Sequence, residues 1–583
     1  MNRKIVNIKN IFLRHKVYIA LLIMSAVLIF MISARHISIL TNIMAWDEIG
    51  YWGNAAYIAG YDWSSVVSAF AGYYSYGYSL ILAFLLRVCG NSHIAYQMAI
   101  AVNAFLVTGS FFIANYIGIK YFKWKNKYYV LLASIIVTVY VNNITQSNYA
   151  WTECLLIFLY WCLAALFLSL NQRYHFMKIV LIIAITVYIY CVHNRSLGIV
   201  IASFITIVLY IAIKKVSVKK VICFAIGTLL LILFEGLLKE HIKSAVYIAK
   251  SDVELVNTFA AASPWIIGKL LSLSGIIDLI KTFMNRFLYF GITTFGTFWL
   301  VCYWGIKKLR EGIAEKKYNF FLIFLFLSVL GTFGLISVQL SPSSSYQSLL
   351  YGRYQDVVAG PVFLMGLLIL IFDGKNRLNR CFLFFPLIMS ILIQVAKGIP
   401  IYSDYFVPNC NVSLYKFWIG TENGGYEFNA IFLITALGMT VLYIVSFISY
   451  KNKVLGGVLL GCFVTCYMGI QVRDSEKVFE ETFLNYQNMS KELNEIHEIC
   501  KDANEIYYYT DENLSINTPL AMWLQFEMYD HKIVVVDSME NVKENSYIAI
   551  PRKKMSDTVF EATVEVEGIL VSEDKFIALY VIS

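Results

Sequence analysis

The residues of this 583-residue chain best suited to chemistry are a few charged side chains set among apolar and aromatic neighbours. Asp47 and Glu48 stand together in AWDEIGYWGNAAY, Glu153 in SNYAWTECLLIF, Arg195 beside His193 in CVHNRSLG, and Arg353 in YGRYQDVVAGP. Ionisable groups at or near membrane depth are costly to keep and mark functional sites. A carboxylate facing two arginines suits one kind of reaction. The carboxylate accepts the proton of a hydroxyl as that oxygen attacks a sugar carbon. The arginines hold the phosphate of a lipid-phosphate sugar through paired, charge-assisted hydrogen bonds. Negative charge grows on that phosphate as the glycosidic bond breaks, so a fixed guanidinium stabilises the transition state more than the ground state. Each residue also has a plainer reading. Asp47 suits a solvated interface, Glu153 a helix–helix polar pair, Arg195 an interfacial snorkelling position and Arg353 a local ion pair with Asp356.

What must position these residues is a set of membrane helices. The chain is 59% hydrophobic and only 15% charged, against roughly 45–50% and about 25% in soluble globular proteins. Apolar runs of about twenty residues recur, each long enough to cross a hydrocarbon core of roughly 30 Å as a helix. The net charge of +9 does not indicate a nucleic-acid partner, because Lys and Arg lie mostly in short loops between the apolar runs. There they set topology, and the positive-inside rule places them in the cytoplasm. That rule holds for about thirteen spans if 78–88, too short to cross, lies on the outer surface instead. The expected spans are 17–34, 94–119, 128–145, 150–170, 177–192, 197–213, 220–236, 284–306, 319–339, 355–372, 380–396, 429–449 and 454–471. The first run follows Arg3, Lys4, Lys9, Arg14 and Lys16 without a small-residue cleavage site, and reads as a retained anchor.

This topology puts the N-terminus in the cytoplasm and Asp47, Glu48, Glu153, Arg195 and Arg353 on one external side. It divides the chain into a membrane domain, 1–471, with external loops 35–92 and 237–283, and an external domain, 472–583. In the latter, apolar runs of strand length at 506–509, 532–536, 547–550 and 576–582 alternate with helical stretches at 475–500 and 519–529. That alternation predicts a small α/β domain. Most of the eleven cysteines sit inside apolar runs without metal-binding spacing, and no phosphate-binding glycine loop is present. Abundant Ile, Lys, Asn and Tyr with only eight prolines point to an AT-rich bacterial genome.

The ordered set of these features resembles the C-fold superfamily of integral-membrane glycosyltransferases, which includes the protein O-mannosyltransferases and the lipid A aminoarabinose transferases. The resemblance rests on Asp47-Glu48 opening the first external loop, on the surface helix in YYSYGYSLILAFLLRVCGNS, on the span AYQMAIAVNAFLVTG, on Glu153, and on Tyr351-Gly352-Arg353-Tyr354 before Pro361. It covers roughly residues 17–372 in detail. The proline usual near the start of the surface helix is replaced by Tyr76-Gly77-Tyr78. The resemblance implies a polyprenyl-phosphate sugar donor, inverting transfer to a cell-envelope glycan or glycolipid, and a site in the bacterial plasma membrane. Asp47 would be the base, assisted by Glu48 and Glu153; Arg195, Arg353 and Tyr354 would bind donor phosphate; His193, Tyr76 and Tyr351 would line the substrate. Some relatives hold a divalent metal there, but no ligand set in this sequence compels one.

Two other classes compete. A polymerase or ligase of lipid-linked glycans also uses external arginines, but more often carries its large external loop late in the helical domain. A transporter or flippase shows repeated halves and broken mid-membrane helices, and no half-to-half repeat is evident in this sequence.

Overall fold

The computed structural model describes residues 2–122, 127–171, 176–248, 266–315, 319–340, 351–372, 428–487, 490–510, 519–552, 566–573 and 576–582. The membrane part begins with α1 (Asn2–Ser33), α2 (Trp46–Ala59), α3 (Ser64–Phe70), α4 (Ser79–Cys89), α5 (Ser92–Tyr121), α6 (Lys127–Thr138), α7 (Val141–Gln146) and α8 (Glu153–Leu170). It continues through α9 (Phe176–Val192), α10 (Leu197–Lys214), α11 (Val218–Val246), α12 (Leu273–Thr293), α13 (Thr297–Ala314), α14 (Phe320–Leu340), α15 (Ala359–Phe372), α16 (Phe428–Lys451) and α17 (Lys453–Gln487).

Among the described residues, eight helices are individually long and apolar enough to cross a bilayer, and nine if one bent pair counts as a single span. The bent pair is α12 and α13, which meet at 109° where one straight span over 284–306 was expected. The bend sits at Phe295 and Gly296, both left-handed (φ 47° and 72°), which ends one helix and re-aims the next. Three other expected spans, 128–145, 177–192 and 355–372, fall on apolar helices of 10–17 residues. The first of these is broken between α6 and α7. The expected span 380–396 lies outside the described residues. α4, the expected surface helix, is 11 residues long, about 16 Å, and too short to span. Within the stretch expected as the loop 237–283, α11 continues to Val246 and α12 begins at Leu273.

The C-terminal part is α/β, as its alternating pattern predicts. α18 (Ser490–Cys500) and α19 (Pro519–Glu527) accompany β1 (Glu505–Tyr509), β2 (Lys532–Val536), β3 (Tyr547–Pro551), β4 (Gly568–Glu573) and β5 (Ile577–Ile582). The sheet order is β2-β1-β3-β5-β4, with β1 parallel to β2 and β3 and the last two pairings antiparallel. Central β1, EIYYY, is buried along almost its whole length, as an unbroken apolar run between parallel neighbours requires. β4 was not expected from the sequence; it is an edge strand with a register irregularity at Leu570/Ser572.

α19 couples this domain to the segment that carries Asp47. Trp523 Nε1 donates to the Ile43 carbonyl (2.9 Å) and Trp63 Nε1 to the Tyr529 carbonyl (2.8 Å). Phe526 packs edge-on against Trp52 with ring centroids 5.0 Å apart. The Val535 N–H donates to Ser65 Oγ (2.9 Å).

Candidate active site

α2 opens with an acidic pair in its first turn, where the helix dipole favours negative charge. Consecutive helical residues point about 100° apart, so the two carboxylates face different surroundings. Asp47 turns toward the loop that precedes α15: its Oδ2 lies 2.5 Å from Arg353 Nη1, and its Oδ1 accepts from the Tyr74 hydroxyl at 2.6 Å. Tyr74 reaches it by packing against α2 at Gly50, where a Cβ would overlap the tyrosine ring. Burial pushes the Asp47 carboxyl up, but Arg353, the Tyr74 hydroxyl and Arg195 outweigh it and hold Asp47 below the usual carboxylate range.

Arg353 is the hub. It is 2% exposed, and its Nε donates to Glu153, the equally buried first residue of α8. The guanidinium stacks on Trp151, 3.7 Å from the ring centroid. Arg195 sits in the 3-10 turn Asn194–Ser196 between α9 and α10, with its guanidinium 3.7 Å from the centroid of the Tyr354 ring. Tyr351 donates to the Tyr354 hydroxyl at 3.0 Å. His193 Nδ1 accepts from the Arg195 N–H at 3.2 Å. Burial, reinforced by Arg195 and Arg353, pushes His193 well below its ordinary range, so its ring is neutral. Glu153, His193, Arg195, Thr332, Arg353 and Tyr354 line a common recess.

The structure therefore gathers Asp47, Glu153, Arg195, Arg353, Tyr354, His193 and Tyr351 from segments up to 307 positions apart (47 to 354). Two expected residues face elsewhere. Glu48 is fully buried and accepts from the backbone N–H of Met44 (2.6 Å), Ala45 (2.8 Å) and Ala150 (2.5 Å), and from the Tyr96 hydroxyl (2.8 Å). Burial pushes its carboxyl up to about 7 against these donors. Tyr76 is buried with its hydroxyl 3.5 Å from Cys191 Sγ, against the end of α9. The expected Arg353–Asp356 proximity also resolves differently: Asp356 accepts from Tyr289 (2.9 Å) and Tyr140 (3.1 Å).

The tyrosine run Tyr73–Tyr78 reads in the sequence as an interfacial aromatic belt or sugar platform, but neither Tyr74 by itself nor Trp151 stands out. Trp151 lies two residues before Glu153, which is the one hint it offers; Tyr74 is hidden in a run of tyrosines. A divalent ion at the recess would have to compete with Arg353, which already engages both carboxylates, so the donor set does not fit a metal as arranged.

No family model and no curated protein matches this chain. Solved structures do. The crystal structure of ArnT from Cupriavidus metallidurans in the apo state aligns with TM-score 0.53 and 11% identity over 97% of this chain and 98% of that one. The crystal structure of the same protein bound to undecaprenyl phosphate aligns with TM-score 0.50 and 11% identity, over 97% of each chain. At this identity the likeness is one of fold: a C-fold-like polytopic membrane architecture with a C-terminal α/β domain.

Proposed function

We propose that this chain is a membrane glycosyltransferase that moves a monosaccharide from a polyprenyl-phosphate donor to an acceptor hydroxyl on a cell-envelope glycan or glycolipid. One observation carries the reading: an accessible carboxylate, Asp47, paired to Arg353, which lines a recess together with Arg195. The likeness in fold to a protein crystallised with undecaprenyl phosphate supports the donor class. Positive charge in the short loops favours a cytoplasmic N-terminus, with the recess and residues 472–583 on the outer face of a bacterial plasma membrane.

In the resting site Asp47 is ionised and its proton affinity is low, because a guanidinium touches it. An incoming donor phosphate competes for Arg353 and Arg195 through charge-assisted hydrogen bonds. As the guanidinium turns to the phosphate, Asp47 loses its counter-charge and becomes a better base. The acceptor oxygen then attacks the anomeric carbon from the face opposite the phosphate, and the carbon–oxygen bond to phosphate breaks. The hydroxyl proton passes to Asp47. Polyprenyl phosphate leaves with the bonding electrons, its charge held by the two arginines. The sugar is inverted. Glu153 keeps Arg353 in place throughout, and Glu48 fixes the start of α2.

The test is sugar transfer from a panel of synthetic polyprenyl-phosphate monosaccharides by purified wild type and Asp47→Asn. Transfer by the wild type should fall about 10²–10⁴-fold in the variant, with donor binding and melting temperature kept. Undiminished transfer by Asp47→Asn would remove Asp47 as base. Donor binding by neither protein would overturn the donor class.

A further inference from the structure

Away from the recess, the C-terminal domain brings two histidines and an aspartate together. His497 on α18, and Asp530 with His531 in the turn between α19 and β2, each offer a ligand atom, and these atoms lie within 4.8 Å of one another. No residue that touches Asp47 takes part. What separates this group from a chance surface cluster is the arrangement behind it. His497 Nδ1 faces Glu527 Oε1 at 3.8 Å, and Glu527 is 3% exposed. His531 Nε2 lies 3.3 Å from the Lys501 carbonyl. Each ring thus turns one nitrogen toward a buried carboxylate or a carbonyl, and histidines that bind metal are supported in this way. The other nitrogen of His531, Nδ1, lies 2.8 Å from Asp530 Oδ1, so two of the three ligand groups already meet and a cation would take the place of that contact.

We propose that His497, Asp530 and His531 form a zinc-class divalent cation site that clasps α18 to the turn before β2. Two imidazoles and one carboxylate are a borderline-soft set suited to zinc, with water completing four-fold coordination. Bonds of roughly 2.0–2.1 Å in a tetrahedron set ligand atoms about 3.3 Å apart. Closure from the observed spacing therefore needs a shift of about 1 Å or a little more. His497 and Asp530 can supply it, since their side chains are 32% and 45% exposed. The other oxygen of Glu527 meets His93 Nε2 at 2.7 Å, at the start of α5. The clasp therefore stands where the α/β domain rests on the membrane helices.

The experiment is a titration of the full chain in detergent, purified without a histidine tag, with Co²⁺ as a spectroscopic stand-in and Zn²⁺ as competitor. The expected result is one equivalent of Co²⁺ with the visible absorption of a four-coordinate nitrogen–oxygen site, displaced by Zn²⁺. That signal should vanish in His497→Ala and in Asp530→Asn; the latter alters an exposed side chain and leaves the fold intact. Glu527→Gln should weaken affinity about 10–100-fold without removing the spectrum. No stoichiometric binding by the wild type, binding unchanged in both ligand variants, or an intense near-ultraviolet thiolate band that assigns the ion to cysteine would each overturn the proposal.

Discussion

Asp47 and Glu48 are neighbours in the chain, yet they face two regions that treat a carboxylate in opposite ways. Beside the recess, Asp47 keeps 27% of its side chain accessible and meets the Arg353 guanidinium. In the seam behind α2, Glu48 is sealed off and meets three backbone N–H groups and one hydroxyl. A cation beside a carboxyl favours its charged form; burial without one opposes it. The first environment keeps a carboxylate ionised and partly accessible. The second ties the first turn of α2 to α5 and to the Ala150 backbone, which fixes the position of Asp47 beside it. A charged, accessible carboxylate and a sealed one thus stand side by side, and the division of roles proposed for them can be tested.

The largest stability effect is expected at the hub of the recess. Arg353→Gln leaves Glu153 buried without its cation, which costs about 3–5 kcal/mol. Thermal or denaturant unfolding in detergent should show that loss together with weakened donor binding. A variant that keeps full stability would mean that Glu153 is not an obligatory partner.

Next is a pH effect that belongs to the seam. Below pH 4.5 Glu48 is protonated in both folded and unfolded chains. Between pH 4.5 and about 7 the unfolded chain gives up the proton while the folded one retains it, so stability falls as pH rises through that window. The linked change is on the order of 3 kcal/mol at most. Melting curves from pH 5 to pH 8 should carry this slope in the wild type and lack it in Glu48→Gln. Identical slopes would mean that the four donors keep Glu48 ionised in spite of its burial.

A smaller effect separates role from stability. Glu48→Gln turns an amide donor toward donors and should cost about 1–3 kcal/mol, while turnover per folded molecule stays within a few-fold of wild type. Turnover lost without any loss of stability would move Glu48 into the chemistry. In a similar range, Tyr74→Phe removes the hydroxyl that donates to the ionised Asp47, a bond worth about 1.5–3 kcal/mol. The Asp47 carboxyl should rise, and the acid limb of the rate–pH profile should shift to higher pH with it. An unmoved limb would show that Arg353 alone sets the proton affinity of Asp47.

The composition and the spacing of apolar runs determined the membrane class, the positions of most helices, the short α4 and the α/β character of the tail. These follow from local physics: a run of twenty apolar residues has one stable form in lipid, and short apolar runs between turns become strands. The acidic pair and the arginines stood out because charge at such positions is costly. The tertiary structure alone decided which of the two carboxylates meets Arg353, since a step of about 100° along α2 reverses the assignment. It also decided that Arg353 takes Asp47 and Glu153 while nearby Asp356 takes two tyrosines. The break between α12 and α13, the edge strand β4 and the meeting of His497 with His531 belong to the same class. Each depends on which distant segments pack together, and pairings across hundreds of residues leave no periodic trace in the chain.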